Sequence, residues 1–146
     1  MKTVTKATAK KMPHGMVVET KARKFTIMMD EPKAAGGTDE SATPTEHLLC
    51  ALGACQTIVA FTFAESQGIK LDDFYVEIEG DIDYDGLRDI APIRKGFLEI
   101  RYKMHFKTNS PREEVEKFAV FVEQHCPVGD SLANGVPMKC TGIVIE

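Results

Sequence analysis

The stretch Thr43-Pro44-Thr45-Glu46-His47-Leu48-Leu49-Cys50-Ala51-Leu52-Gly53-Ala54-Cys55-Gln56-Thr57-Ile58-Val59-Ala60-Phe61-Thr62-Phe63 decides the fold of this chain. Thr43 suits a helix N-cap, Pro44 the first helical position, and Glu46 completes a capping box. From Leu48 onward the segment is apolar on almost every side, with no polar stripe before Gln67-Gly68. A helix near 24 residues long without a solvated face is normally buried inside a sheet layer or a subunit interface. One small sheet from a chain of 146 residues cannot cover all of it. The expectation is a long buried central helix whose cover comes partly from a second copy, as a homodimer.

Working outward, the N-terminal side reads as three short strands near Val4 to Lys10, Met16 to Lys21 and Arg23 to Met29, with a turn at Pro13-His14-Gly15. In the third, Phe25, Ile27 and Met29 share one face by the period-two rule, and Arg23 falls in the same phase. Lys33 to Ala42 is a glycine-containing loop. On the C-terminal side, Phe74 to Tyr84 and Phe97 to Lys107 alternate apolar with polar residues as half-solvated strands. Ser110-Pro111-Arg112-Glu113 reads as another capping box, opening a helix to about Gln124. A short turn or helix follows His125-Cys126-Pro127, and Lys139 to Glu146 reads as a final strand. The order β-β-β-α-β-β-α-β argues for an α+β fold, and no linker divides residues 1–146, so a single domain is expected.

Composition narrows the function. With 43% hydrophobic and 27% charged residues the chain is not disordered. Four cysteines are too few for a disulfide-dense secreted scaffold. The polar, basic opening from Met1 to Lys11 has no signal-peptide core, and no apolar run approaching a membrane span is evident. A net charge of -4 argues against nucleic acid as a partner. The expectation is a soluble cytoplasmic protein with reduced thiols. The acidic stretch across residues 72–85 reads as a solvated strand face and turn, without EF-hand spacing.

The chemistry rests on which thiol is reactive. Cys50 and Cys55 lie five residues apart on the central helix, on different faces. Cys50 and Cys140 read as small buried hydrophobes. His47 and Cys50 share a helical face and could supply two zinc ligands, but no second pair completes the set. Cys55 stands among small residues, Gly53-Ala54-Cys55, which allow another backbone or a substrate to approach its sulfur. It lies about three turns into the helix, too far for the dipole to activate it. A reactive thiolate there needs an imported cation, for which the inward-phased Arg23 is the candidate.

At these residues the chain resembles the OsmC/Ohr family, the osmotically inducible protein C and organic hydroperoxide resistance proteins. The resemblance lies in Thr43-Pro44-Thr45-Glu46-His47-Leu48-Leu49 with Ala51-Leu52-Gly53-Ala54-Cys55. It extends to Asp30-Glu31-Pro32 with Gly36-Gly37-Thr38-Asp39, as in the OsmC-like branch, and to His125-Cys126-Pro127-Val128 as a second cysteine motif. It implies an intertwined homodimer and thiol peroxidase chemistry. By that resemblance Cys55 is the peroxidatic cysteine, oxidised by a hydroperoxide to a sulfenic acid, and Cys126 the resolving one that condenses with it to a disulfide. An external dithiol, in related proteins a dihydrolipoyl group, restores both. No metal, haem or flavin is required.

Two supporting roles are also implied. Arg23 matches a strand arginine of OsmC-like relatives that holds the thiolate and polarises the peroxide; otherwise it is a solvated charge beside Lys21 and Lys24. Glu46 lies nine residues before Cys55, as in many OsmC-like members; otherwise it is simply a capping residue. Thr45 occupies the position where the organic hydroperoxide branch carries a catalytic glutamate. That departure keeps a second reading open: a non-catalytic dimer of the same fold that binds a small apolar ligand or senses redox state. A zinc protein built on His47 and Cys50 is the third.

Overall fold

The structure, a computed structural model, describes all of residues 1–146. The chain forms two compact units, Met1–Cys50 and Ala51–Glu146, with the boundary inside one continuous helix.

The first unit is built on a three-stranded antiparallel sheet of β1 (Thr8–Lys11), β2 (Val18–Ala22) and β3 (Phe25–Met29), in that order. Ala22 pairs directly with Phe25, so Arg23 and Lys24 are the two residues of a tight hairpin turn. Arg23 takes a φ of 55° there, the left-handed conformation that two-residue hairpins demand. This corrects the placement of Arg23 on the third strand, since period-two phase has no meaning inside a turn. Phe25 and Ile27 share the expected face, but that face is open and both are about half exposed. Val17, just before β2, is buried.

The loop after β3 is organised by Asp30, which is 1% exposed. Its carboxylate accepts from the Glu40 N–H at 2.9 Å, the Thr38 hydroxyl at 2.7 Å, the Glu31 N–H at 2.7 Å and the Thr38 N–H. Gly37 has no substitute here, because a Cβ would stand 1.9 Å from the Glu31 carbonyl oxygen. Donation from the Glu40 amide and the Thr38 hydroxyl holds the Asp30 carboxyl down at about 2, against 3.8 ordinarily. A depressed carboxyl pKa contributes stability above its unfolded value that is lost as pH falls through the folded value. Asp30→Ala is therefore expected to lower Tm near neutral pH by roughly 5–10 °C. It should also flatten the loss of stability between pH 3.8 and about 2, which thermal melts across that range would read. An unchanged melting profile would show that the loop is held by other contacts.

The capping box that opens the central helix α1 (Pro44–Phe63) forms as read. Glu46 Oε2 accepts from the Thr43 N–H at 2.7 Å and Thr43 Oγ1 from the Glu46 N–H at 3.2 Å. The helix stops at Phe63 rather than at Gln67, and turns lead to Gly68, whose φ is 73°.

The second unit continues α1 into β4 (Leu71–Ile82), α2 (Tyr84–Leu87), β5 (Phe97–Thr108), α3 (Arg112–His125) and α4 (Pro127–Asn134). β4 and β5 pair antiparallel over their full length, Phe74 opposite Phe106 and Glu79 opposite Arg101. The alternation seen in sequence is realised: Phe74, Val76 and Ile78 lie inward, while Tyr75, Glu77 and Glu79 are exposed. Arg101 bonds Glu79 at 3.0 Å, Asp81 at 2.6 Å and Glu99 at 2.7 Å, so part of the acidic stretch is a solvated ion-pair face. The core gathers Val59 and Ala60 of α1, Ala64, Ile69, Phe74, and Phe118 and Val122 of α3. Close packing of α1 on the sheet depends on Gly53, where a Cβ would meet Ile78 Cδ1 at 3.0 Å.

Several sequence expectations need correction here. The helix from Arg112 has Pro111 at its N-cap and no side-chain cap, because Ser110 donates its own N–H to Thr108 Oγ1 at 3.1 Å. Residues 135–146 carry no strand, and Ile143, Val144 and Ile145 are exposed. A strand needs a partner edge for its backbone groups, and that segment pairs with none in this chain. Cys50 and Cys140 are exposed rather than packed. Finally, α1 is long and apolar enough to cross a membrane by length and composition alone, contrary to the reading that no such stretch exists. Within the chain only Leu52, Gln56, Val59 and Ala60 of α1 are buried.

Candidate functional site

The two cysteines singled out from sequence meet. Cys55, on the middle of α1, is half-buried at the edge of the apolar core, and Cys126 is 1% exposed at the junction of α3 and α4. Cys55 lies beside the Cys126 thiol, and both thiols are free. The local reason for the geometry of Cys126 is a change of helix direction. α3 ends at His125, Cys126 is extended (φ -87°, ψ 107°), and Pro127 starts α4.

Cys126 is thereby the N-cap of α4. Its Sγ accepts the Gly129 N–H at 3.3 Å, the bond a serine or aspartate makes at this position. Gly129 leaves room for the sulfur, since a Cβ there would lie 3.4 Å from Sγ and 3.6 Å from Leu52 of α1. Burial pushes the Cys126 thiol up, and the neighbouring Cys55 pushes it the same way, while the amides of Gly129 and Val128 pull against both. In the resting dithiol Cys126 is therefore held protonated near neutral pH.

Three further residues complete the surroundings, and none was singled out from sequence. Tyr102 of β5 donates to Glu123 of α3 at 3.0 Å, and burial together with that bond pushes its phenol up to about 12. It lies near Cys126. Gln56, the residue after Cys55, is 1% exposed and its Oε1 has no hydrogen-bond partner. The Gly129 contact was legible in principle: proline directly after a small polarisable residue is a helix-start signal. Tyr102 and Glu123 carried no such signal, because their meeting depends on how α3 lies over the sheet.

Arg23 and Glu46 belong to the Met1–Cys50 unit. The Arg23 guanidinium lies over the Phe25 ring, 4.9 Å from its centroid. The Glu46 carboxylate makes the capping bond already described, and Thr45 Oγ1 is 3.2 Å from Thr43 Oγ1. His47 Nε2 is 3.2 Å from the Met28 carbonyl oxygen. No group of three or more His, Cys, Asp or Glu side chains is gathered as metal ligands.

Comparison with known proteins gives a consistent picture. The family model described as OsmC-like protein matches residues 37–141. An OsmC-like protein from Mycoplasma pneumoniae superposes with a TM-score of 0.79 at 21% identity, covering 91% of this chain and 89% of that one. An organic hydroperoxide resistance protein OsmC from Legionella pneumophila gives 0.65 at 20% identity, covering 91% of each chain. An organic hydroperoxide resistance protein from Elizabethkingia anophelis, with thiocyanate bound, gives 0.65 at 20%, covering 90% and 89%. At these identities the structures establish the shared fold. No curated protein matches the sequence.

Proposed function

We propose, from the premise that this chain belongs to the family of OsmC-like proteins, that it is a thiol-dependent hydroperoxide reductase. The observation that carries the reading is the juxtaposition of Cys55 and Cys126, far apart in sequence, with Cys55 close enough to raise the Cys126 thiol pKa. The names of the Legionella and Elizabethkingia relatives, organic hydroperoxide resistance proteins, support it.

The steps balance with this chain's two sulfurs and an external dithiol. The Cys55 thiolate attacks one oxygen of the hydroperoxide, the O–O bond breaks, and the alkoxide leaves, taking a proton to become the alcohol. Cys55 is now a sulfenic acid. The Cys126 sulfur displaces hydroxide from it, which departs as water, and the disulfide forms. A dithiol then reduces the disulfide and is itself oxidised. Such chemistry suits a thiol-reducing compartment such as the cytoplasm, where the dithiol is regenerated.

The experiment is mass spectrometry after one equivalent of an organic hydroperoxide. A rapid Cys55–Cys126 disulfide, ahead of any change at the exposed Cys50 and Cys140, is expected. Slow oxidation spread over all four thiols would instead favour the second reading, a non-catalytic binding or redox-sensing protein. That second reading draws on Thr45 at the glutamate position and on Arg23 lying in a turn over Phe25.

The active form in this reading is a homodimer. Support comes from α1: Ile58 is 66% exposed and Phe61 49%, on a helix with few polar residues. Leaving large apolar side chains in water along one helix is unfavourable by about 25 cal/mol per Å², and a second copy offers the same unpaired apolar surface. Ile58→Asp is expected to leave the chain folded, because Ile58 is outside the core, and to raise the dimer dissociation constant at least about 100-fold. Light scattering of wild type and variant reads this directly. A monomeric wild type would remove the dimer, and partition of the wild type into lipid vesicles would show that α1 meets a membrane instead.

A further inference from the structure

Resting on the peroxidase reading, we infer that reduction of the Cys55–Cys126 disulfide has a fixed direction: the incoming thiolate attacks Cys55, and Cys126 is the leaving group.

Access favours attack on Cys55. Thiol–disulfide exchange needs the attacking sulfur to approach along the line of the S–S bond. Cys126 is 1% exposed, with Gly129 of α4 against its sulfur and Leu52 of α1 within 3.6 Å of a Cβ built at Gly129. Cys55 is only half-buried, and the small Gly53 lies two residues before it. An anionic attacker reaching Cys126 would also have to shed its water, whereas at Cys55 it keeps part of it.

The destination of the negative charge favours it too. A disulfide breaks faster toward the sulfur better able to carry the charge. Cys126 is the N-cap of α4, and the Gly129 N–H already points at Sγ from 3.3 Å. A thiolate at a helix N-cap is favoured by that amide and by the helix dipole. Burial still opposes a charge on Cys126, but during this step Cys55 is tied to the reductant and uncharged, so its share of the opposition is gone and the Gly129 amide remains. Cys55 lies in the middle of α1, where the backbone amides are spent on the helix itself. The same N-cap bond that meets a protonated sulfur in the resting dithiol meets a thiolate when Cys126 departs.

The electrons balance simply. The reductant's lone pair forms a new S–S bond to Cys55, and the old bonding pair leaves on Cys126, which takes a proton. The second thiol of the dithiol then closes on its own sulfur, forming the reductant's disulfide and releasing the Cys55 thiolate. A dithiol completes this without any second visit to the buried cysteine, so the geometry favours dithiols over monothiols.

The test uses the full-length protein oxidised with diamide, so that disulfide formation does not depend on peroxide. It is mixed briefly with excess 2-mercaptoethanol, quenched in acid, blocked with a maleimide in denaturant and mapped by peptide mass spectrometry. The mercaptoethanol adduct is expected on Cys55 at least about tenfold over Cys126. An adduct on Cys126, or an even split, overturns the direction. If diamide forms the disulfide and hydroperoxide does not, the peroxidase reading fails while the direction stands; if neither bridges the two cysteines, both fail. As a second measurement, 5,5′-dithiobis(2-nitrobenzoate) should label Cys55 in Cys126→Ser at least about tenfold faster than Cys126 in Cys55→Ser. Equal rates would remove the access argument.

Discussion

Cys55→Ser is expected to lower kcat/KM for hydroperoxide reduction at least about 10³-fold. The serine hydroxyl is not appreciably ionised near neutral pH and is a far weaker nucleophile toward an O–O bond. Cys55 is half-buried at the margin of the core, so the substitution should leave the far-UV spectrum and Tm nearly unchanged. Loss of activity would then report chemistry rather than unfolding. Cys126→Ser separates the two roles. It should permit one turnover, leave a sulfenic acid on Cys55 that dimedone traps, and drift to sulfinic acid with further peroxide. Wild-type rates in Cys55→Ser, measured with a dithiol reductant, would end the peroxidase reading.

The largest stability effect should come from Phe118→Ala. Phe118 is 2% exposed and joins the sheet to α3, with its ring 6.1 Å from those of Phe106 and Phe121. Truncation removes the transfer free energy of the ring and leaves a cavity between two elements that cannot close on each other. The cost is about 3–5 kcal/mol, out of a typical total of roughly 5–15 kcal/mol. Denaturant unfolding followed by circular dichroism would show a lower midpoint at unchanged slope. Phe61→Ala makes the control. Phe61 is half exposed within its chain, so its loss should weaken a dimer more than the fold of one chain. A midpoint unaffected by Phe118→Ala would mean that the core described here is not what holds α3.

Signals confined to a few consecutive residues were readable in advance. The capping box of Thr43 and Glu46 formed because both partners lie within one helical turn. The alternation along β4 was realised for the same local reason, since side chains in an extended strand must point to opposite sides, whereas in β5 Leu98 and Tyr102 of the apolar face are exposed. The second capping box failed because Thr108 offered the Ser110 amide a nearer acceptor. Arg23 shows the limit of the phase rule, since it lies two residues before β3 begins, in a turn with its own backbone demands. Cys50 and Cys140 were read as packed by composition alone, and composition does not say which side of an element is covered.

Chain-local chemistry was therefore sufficient for the α+β class and the apolar central helix, whereas the pairing of Cys55 with Cys126 rested on the family resemblance. Packing decided the rest. It brought Cys55 against Cys126, made Cys126 the N-cap of α4, set Tyr102 against Glu123, and left Ile58 and Phe61 of α1 uncovered by their own chain. The reason is range. Caps, turns and alternation are settled by atoms within about four residues of each other, whereas the meeting of two sulfurs on different helices depends on how whole elements fill space around a shared core.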